Sequence, residues 1–319
     1  MKYFLTILML IAGIAYCQSN QDKKPADSKA QNSVKETSKM GFNKLTKEEE
    51  YVIVHKGTER PFTGEFNDHY KKGIYTCRRC DTPLYRSGSK FKSGCGWPSF
   101  DDEIKGAVKR KADADGHRIE ILCNKCDGHL GHVFIGEAFT KKNTRHCVNS
   151  ISMNFIPEEK LETAIFASGC FWGTEYHLEK IDGVLAVTSG YIGGAKDNPT
   201  YKEVCSGTTG HAEAVEIIFD PTKTSYEVLA KLFFETHDPT QLNRQGPDIG
   251  TQYRSEVFYL NNEQKVITQK LIGQLREKGY NVVTKITKAS QFWDAEAYHQ
   301  DYYEIKGTQP YCHFYQKKF

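Results

Sequence analysis

Cysteine is the residue most able to do chemistry in this chain, and ten of them fall into distinct sets by spacing. Cys77-Arg78-Arg79-Cys80 and Cys123-Asn124-Lys125-Cys126 are two CxxC pairs. Two intervening residues let both sulfurs of a tight turn face one point, and two such turns close a tetrahedral thiolate site. The spacing predicts one structural zinc per chain, closed by four protein ligands. Two disulfides are the alternative, because an exported chain meets an oxidising compartment.

Around these knuckles lie three further motifs: Ser93-Gly94-Cys95-Gly96-Trp97-Pro98-Ser99-Phe100, Asp127-Gly128-His129-Leu130-Gly131-His132-Val133-Phe134 and Arg145-His146-Cys147-Val148-Asn149-Ser150. Cys95 and Cys147 remain once zinc takes four sulfurs. Alone, either would read as a small buried hydrophobe. Cys147, however, follows Arg145 and His146, and cationic or hydrogen-bonding neighbours make a thiol nucleophilic. His129 and His132 alone would read as zinc ligands or core histidines. Together and in this order, the motifs resemble the B-type methionine sulfoxide reductases over about residues 43–158. The resemblance implies that Cys147 is the nucleophile and Cys95 resolves its sulfenic acid. It further implies that Trp97 holds the sulfoxide methyl group, while His129, His132 and Asn149 position or protonate the oxygen.

Ser168-Gly169-Cys170-Phe171-Trp172-Gly173 ends a predicted strand and opens a predicted helix. A cysteine there sits at the positive end of the helix dipole, which favours thiolate. Phe171 and Trp172 offer an apolar wall, and the flanking glycines let a ligand approach the backbone. With Gly210-His211-Ala212-Glu213 and the run Gly246 to Ser255, this motif resembles the A-type methionine sulfoxide reductases over residues 162–319. Carried over by that resemblance, Cys170 is the nucleophile and Glu213 the acid. Tyr201, Asp248 and Tyr253 complete the oxygen pocket, and Cys312 is the resolving thiol. No cysteine follows Cys312, so recycling is expected to need only the Cys170–Cys312 disulfide. Cys205 is read as structural.

Both resemblances imply one chemistry. A thiolate attacks the sulfoxide sulfur, methionine leaves, and sulfenic acid condenses with a second thiol. A thioredoxin-like dithiol then restores the thiols. The two epimers of methionine sulfoxide need different enzymes; the A-type half is expected to take S and the B-type half R, in free methionine sulfoxide and oxidised proteins. The competing readings are a zinc-bearing binding protein with redox-silent cysteines and a disulfide oxidoreductase. The latter expects a catalytic CxxC near a βαβ unit, and neither pair here lies near one.

These residues need two scaffolds. Gly73–Thr76, Pro83–Tyr85, Arg118–Leu122 and Ser150–Phe155 read as strands broken by glycine, and Leu45–Val54 as a helix. From about residue 162 strands alternate with helices: strands at 163–167, 214–219, 254–260 and 281–286, helices at 171–181, 225–237 and 262–278. The expected fold is α+β in two domains, a mostly antiparallel β domain with structural zinc followed by an α/β two-layer sandwich. The junction near Ile156-Pro157-Glu158-Glu159 is short, so the domains are expected to touch.

The 319 residues suffice for two domains, and 39% hydrophobic with 26% charged residues is globular composition. A net charge of +3 gives no reason to invoke nucleic acid. Lys2 followed by an apolar run from Phe4 to Ala15 reads as a secretory signal. Cys17 matches the acylated cysteine of a bacterial lipoprotein, although Tyr16 fits poorly; cleavage after Ala15 is the alternative. Residues 18–42 read as a flexible tether. The expected location is exported, either periplasmic or anchored to the membrane by lipid.

Overall fold

The computed structural model describes residues 41–113 and 115–319; the signal segment, Cys17 and nearly all of the tether lie outside them. Residues Gly41–Phe319 form one compact unit. Helix α1 (Lys47–Ile53) opens on a capping box, the Thr46 hydroxyl accepting from Glu49 N–H while the Glu49 carboxylate accepts from Thr46 N–H. Nine strands follow: β1 (Gly73–Cys77), β2 (Pro83–Arg86), β3 (Lys90–Phe91), β4 (Ser99–Phe100), β5 (Val108–Ala112), β6 (Ile119–Cys123), β7 (His129–Ile135), β8 (Thr144–Val148) and β9 (Met153–Pro157). They form two antiparallel sheets, β2-β1-β9 and β3-β4-β8-β7-β6-β5. Tyr75, Tyr85, Phe100 and Leu130 are fully buried at their core, with Tyr85 stacked on Phe100 at 4.2 Å. The 150–155 segment divides into a 3-10 turn at Ser150–Ser152 and the strand β9.

Four residues, a 3-10 turn at Glu158–Lys160 and then Leu161, connect the sheets to β10 (Glu162–Ser168). Then come α2 (Phe171–Leu178), β11 (Val184–Ile192), α3 (Tyr201–Cys205), β12 (Ala212–Phe219), α4 (Tyr226–Thr236), β13 (Arg244–Gln245), β14 (Asp248–Ile249), β15 (Ser255–Tyr259), α5 (Asn262–Glu277), β16 (Lys285–Lys288), β17 (Trp293–Asp294) and α6 (Tyr302–Lys306). The main sheet runs β16-β15-β10-β12-β11-β17 and is mixed: β15 and β16 are parallel, the other neighbours antiparallel. Helices α2, α4 and α5 share one core with one of its faces, filled by Phe166, Leu229, Phe233, Phe234 and Leu271. Helix α2 stops three residues before the expected end at 181, and the last expected strand shifts from 281–286 to Lys285–Lys288. Among the described residues no helix is long and apolar enough to cross a membrane.

The two halves touch, as the short junction predicts. Arg86 donates to the Thr188 hydroxyl at 2.9 Å, and Lys105 donates to the Gln300 carbonyl at 2.6 Å. Within the N-terminal half, β7 is tied to β8 through a position that excludes a side chain. Gly131 has φ +153, and a Cβ there would lie 2.0 Å from the Cys147 carbonyl oxygen. Gly131→Ala is therefore expected to destabilise the N-terminal domain by about 1–3 kcal/mol, measured as a loss in urea or thermal unfolding; an unchanged midpoint would show that the backbone there relaxes freely.

Candidate active sites

The four knuckle cysteines are free thiols whose sulfurs all lie within 4.8 Å of one another. Cys77–Cys126 and Cys80–Cys123 are each 3.6 Å apart. A tetrahedral ion with sulfurs at about 2.3 Å places them about 3.8 Å from each other, so the donor set fits zinc. The knuckles share one local design. Asp81 and Asp127 follow the second cysteine of each pair in the left-handed region, φ +59 and +60. Each returns its N–H to the carbonyl of the first cysteine, at 2.9 and 3.0 Å. His129 and His132 are engaged elsewhere, with Glu120 at 2.7 Å and Asp113 at 2.6 Å.

Cys95 and Cys147 face each other at 3.7 Å. Cys147 comes from β8, flanked by Ser99 of β4 and His132 of β7. Cys95 comes from a loop with two left-handed glycines, Gly94 and Gly96. The Ser93 hydroxyl donates to Cys95 Sγ at 3.0 Å. Contact with Cys147, then the Ser93 and Ser99 hydroxyls, lowers the Cys95 thiol to about 4 against its burial. Cys95 and burial raise Cys147, and Arg145 pulls against them. Contact between the two sulfurs thus lowers Cys95, the cysteine expected to resolve, and raises Cys147, the expected nucleophile.

Strand alternation separates the expected activators of Cys147. His146 points to the opposite face, fully buried, where it meets the Tyr85 hydroxyl and Arg110, both at 3.1 Å. Arg145 shares the face of Cys147. Two of its nitrogens bind Glu137 at 2.7 and 2.9 Å, while Nη1 is buried without a protein partner. His129 Nε2 is likewise buried and unpartnered. His132 lies 5.7 Å from the His129 ring. Asn149 is tied at both ends, accepting from Glu59 N–H and donating to the Leu130 carbonyl, each at 3.1 Å.

Glu59 escaped the sequence reading. Its carbonyl accepts from the Trp97 indole at 3.1 Å, its N–H binds Asn149, and its carboxylate accepts from Ser150 and Ile151 N–H at 2.7 and 2.9 Å. One loop residue thereby sets two expected substrate contacts. Its partners lie 38 to 92 positions away, so no local pattern announces it.

In the C-terminal half β10 delivers Cys170 to the N-cap of α2. A Cβ on Gly169, φ +103, would meet Gln245 Cβ at 2.4 Å, so the approach requires glycine. Cys170 and Cys312 are both buried and close enough that each sets the other's protonation. Cys312, burial and Glu213 raise Cys170, while the Trp172 N–H lowers it. The neighbouring thiol and burial thus oppose the thiolate expected from the helix dipole.

Glu213, on β12, accepts from Phe171 N–H at 3.2 Å, and its other oxygen is buried without a partner. Burial raises its carboxyl to about 8, with smaller contributions from Asp248 and Cys312 opposed by the Phe171 N–H. The Tyr201 and Tyr253 phenols are raised by burial, and Glu213 adds to both, placing them around the same carboxyl. Asp248 accepts from the Tyr311 hydroxyl at 3.1 Å. Trp172 stacks on Tyr302 at 3.7 Å and donates its indole N–H to His299 Nδ1 at 3.1 Å. His299 packs between Phe171 and Tyr201 at 5.1 and 4.4 Å. Tyr302 and His299 were not foreseen. Cys205 is exposed on α3, not part of the core as a structural cysteine would be.

A cavity of about 910 Å³ lies between the halves, lined in part by Arg86, Lys105, Glu179 and Asp301. It contains none of the paired thiols, and a large cavity without reactive groups is a weaker guide than the thiols themselves.

Two thiol pairs, one half-buried and one buried, each beside polar groups and an aromatic wall, define an oxidoreductase that works through cysteine. The family described as Peptide methionine sulfoxide reductase matches residues 162–319, and the SelR domain matches residues 45–157. The MsrA of Haloquadratum walsbyi is 53% identical over 152 residues, 47% of this chain and 87% of that protein. The MsrA of Deinococcus radiodurans is 49% identical over 181 residues, 56% of this chain and 88% of that protein. Mxr1 from Saccharomyces cerevisiae in reduced form is 35% identical, covering 50% of this chain and 94% of that chain, with a TM-score of 0.47. The chain belongs to the peptide methionine sulfoxide reductases, with a B-type domain followed by an A-type domain.

A carboxyl at about 8 is mostly neutral at pH 7 and can donate a proton. Sulfoxide reduction by the C-terminal domain is expected to decline as pH rises through about 8. Glu213→Gln is expected to lower it by about 10²–10⁴-fold and to remove that decline, as read from pH–rate profiles. The folded chain also keeps a proton here that the unfolded chain releases near 4.5. This group's contribution to stability is thus present below 4.5 and lost as pH rises through about 8.

Proposed function

We propose that the two domains reduce opposite epimers of methionine sulfoxide, the N-terminal one R and the C-terminal one S, through separate sulfenic acid and disulfide cycles. The observation that carries this reading is the buried arrangement of Cys170, Cys312 and a protonated Glu213. Glu213 donates its proton to the sulfoxide oxygen, which makes the sulfur electrophilic. Cys170 attacks as methionine leaves, and its sulfenic acid closes with Cys312. Phe171 and Trp172 wall the methyl group; Tyr201, Asp248 and Tyr253 surround the oxygen.

In the N-terminal site Cys147 plays the same part and Cys95 resolves it. Arg145, whose Nη1 has no hydrogen-bond partner, lowers the Cys147 thiol and supports its thiolate. His129, with one unpartnered nitrogen, and His132 supply hydrogen bonds to the oxygen. Asn149, tied through Glu59, keeps one further amide hydrogen available. Trp97 closes the apolar side. Both CxxC pairs are committed to the four-sulfur cluster, which argues against their being a dithiol–disulfide couple.

Cys77, Cys80, Cys123 and Cys126 hold one zinc that fixes β1 against β6 and supplies no reaction step. A thioredoxin-like dithiol reopens both disulfides; oxidised proteins are the substrates. The positive start and apolar run before Cys17 support export, with the protein periplasmic or anchored by a lipid on that cysteine.

Cys147→Ser is expected to abolish R reduction and leave S reduction intact, and Cys170→Ser the reverse, in assays with the separate epimers. A folded single mutant that lost both activities would point to one shared site. Elemental analysis is expected to give one zinc per chain, and Cys77→Ser to lose it and unfold the N-terminal domain. Freshly reduced protein without metal would refute the assignment.

A further inference from the structure

We propose that His313 is the base that takes the Cys312 proton as the C-terminal disulfide closes, an inference that rests on the resolving role proposed for Cys312. His313 follows α6 and is 1% exposed. Its Nε2 lies 2.8 Å from the Ser168 carbonyl oxygen, which can only accept. Nε2 therefore carries the hydrogen, and the lone pair of the neutral ring is on Nδ1. Nδ1 faces Cys312 Sγ at 3.1 Å. The thiol donates to it, and the tautomer suited to accept its proton is imposed by the backbone of β10, the strand that carries Cys170.

The placement is built in from several sides. A Cβ on Gly173, in the first turn of α2, would come within 2.2 Å of Nδ1, so a glycine admits the ring. His177 donates to the His313 carbonyl at 3.3 Å, and Gln245 donates to the Cys312 carbonyl at 2.9 Å. The groups facing this pair are Cys170, Glu213, Asp248, Tyr303 and Tyr311 on the thiol side, with His177 and His237 beside the imidazole. Contact with Cys170 first, and then with His313, favours loss of the Cys312 proton, against its burial.

The step balances without an outside oxidant. The Cys312 S–H bond breaks and its proton moves to Nδ1. The Cys312 sulfur attacks the sulfenic sulfur of Cys170, an S–S bond forms and the S–O bond breaks. The departing hydroxide takes the proton back from the imidazolium and leaves as water. Cys312 is oxidised and the sulfenic sulfur reduced, each by one electron equivalent.

His313→Asn keeps a hydrogen-bonding oxygen near Nδ1 but cannot take a proton. The full chain is given one equivalent of a peptide carrying methionine S-sulfoxide. Methionine release, disulfide closure and sulfenic acid trapped at Cys170 by a cyclic dione are followed separately. In His313→Asn the rate of closure relative to methionine release is expected to fall about 10²-fold, with trapped Cys170 rising to match. Its closure rate should climb more steeply with pH than the wild type's, because hydroxide replaces the imidazole. Closure at the wild-type rate across pH would overturn the proposal. Cys312→Ser tests the underlying reading separately, since it must trap Cys170 fully and form no disulfide. If closure persists there, the resolving assignment fails whatever His313 does. Should His313→Asn release no methionine, His313→Gln is read in its place. Loss of release in both would show that the ring serves more than closure, and would overturn the proposal.

Discussion

The hydrogen bond from Phe171 N–H to the Glu213 carboxyl at 3.2 Å joins everything the C-terminal site needs. The donor is the first residue of α2, directly after Cys170, and the acceptor is on β12, which pairs with β10. A carboxyl buried to 1% exposure with only this partner is held neutral, since a lone N–H does not offset the desolvation of a charge. Neutral, it is both a tolerable core group and a proton donor. The sheet register places Tyr191 opposite Glu213, and a glycine admits Gln245 beside Cys170.

The N-terminal site solves a related problem with different means. It has no buried carboxyl of this kind; Glu120 is paired with His129 and Lys56 at 2.7 and 2.6 Å. The polar groups left without protein partners are instead a guanidinium nitrogen of Arg145 and His129 Nε2. Both sites therefore hold buried polar atoms with unfilled hydrogen bonds, which cores rarely tolerate except where a ligand completes them. The thiol pairs are also arranged alike: in each, contact between the sulfurs raises one, Cys147 or Cys170, and lowers the other, Cys95 or Cys312.

The two halves are joined by a four-residue connection and by direct contacts such as Arg86 with Thr188, yet each keeps its own core. In the N-terminal half three knuckle cysteines are members of that core. The four-sulfur cluster thus sits where a small β domain would otherwise lack apolar volume, which is the usual place for a structural metal.

Much of this was legible in the sequence because it is encoded locally. The CxxC spacing reports two knuckles because a tight turn brings i and i+3 sulfurs together. The strand-to-helix turn at Cys170 follows from the apolar run before it and the glycines around it. The strands and helices near 163–167, 225–237 and 262–278 follow from periodicity, and the structure adds caps at Ser225 and Asn261. What the tertiary structure decided is what depends on distant partners. His146 adjoins Cys147 in sequence, but strand alternation turns it into the opposite core. At Cys170 a helix N-terminus favours thiolate, but the neighbouring thiol and burial raise it. Glu59, His299 and the tautomer of His313 owe their places to partners 38 or more positions away. A sequence displays which side chains are present and how they are spaced along one element; only the packed fold sets which of them face each other and how much water they keep, and those two quantities fix a thiol's charge.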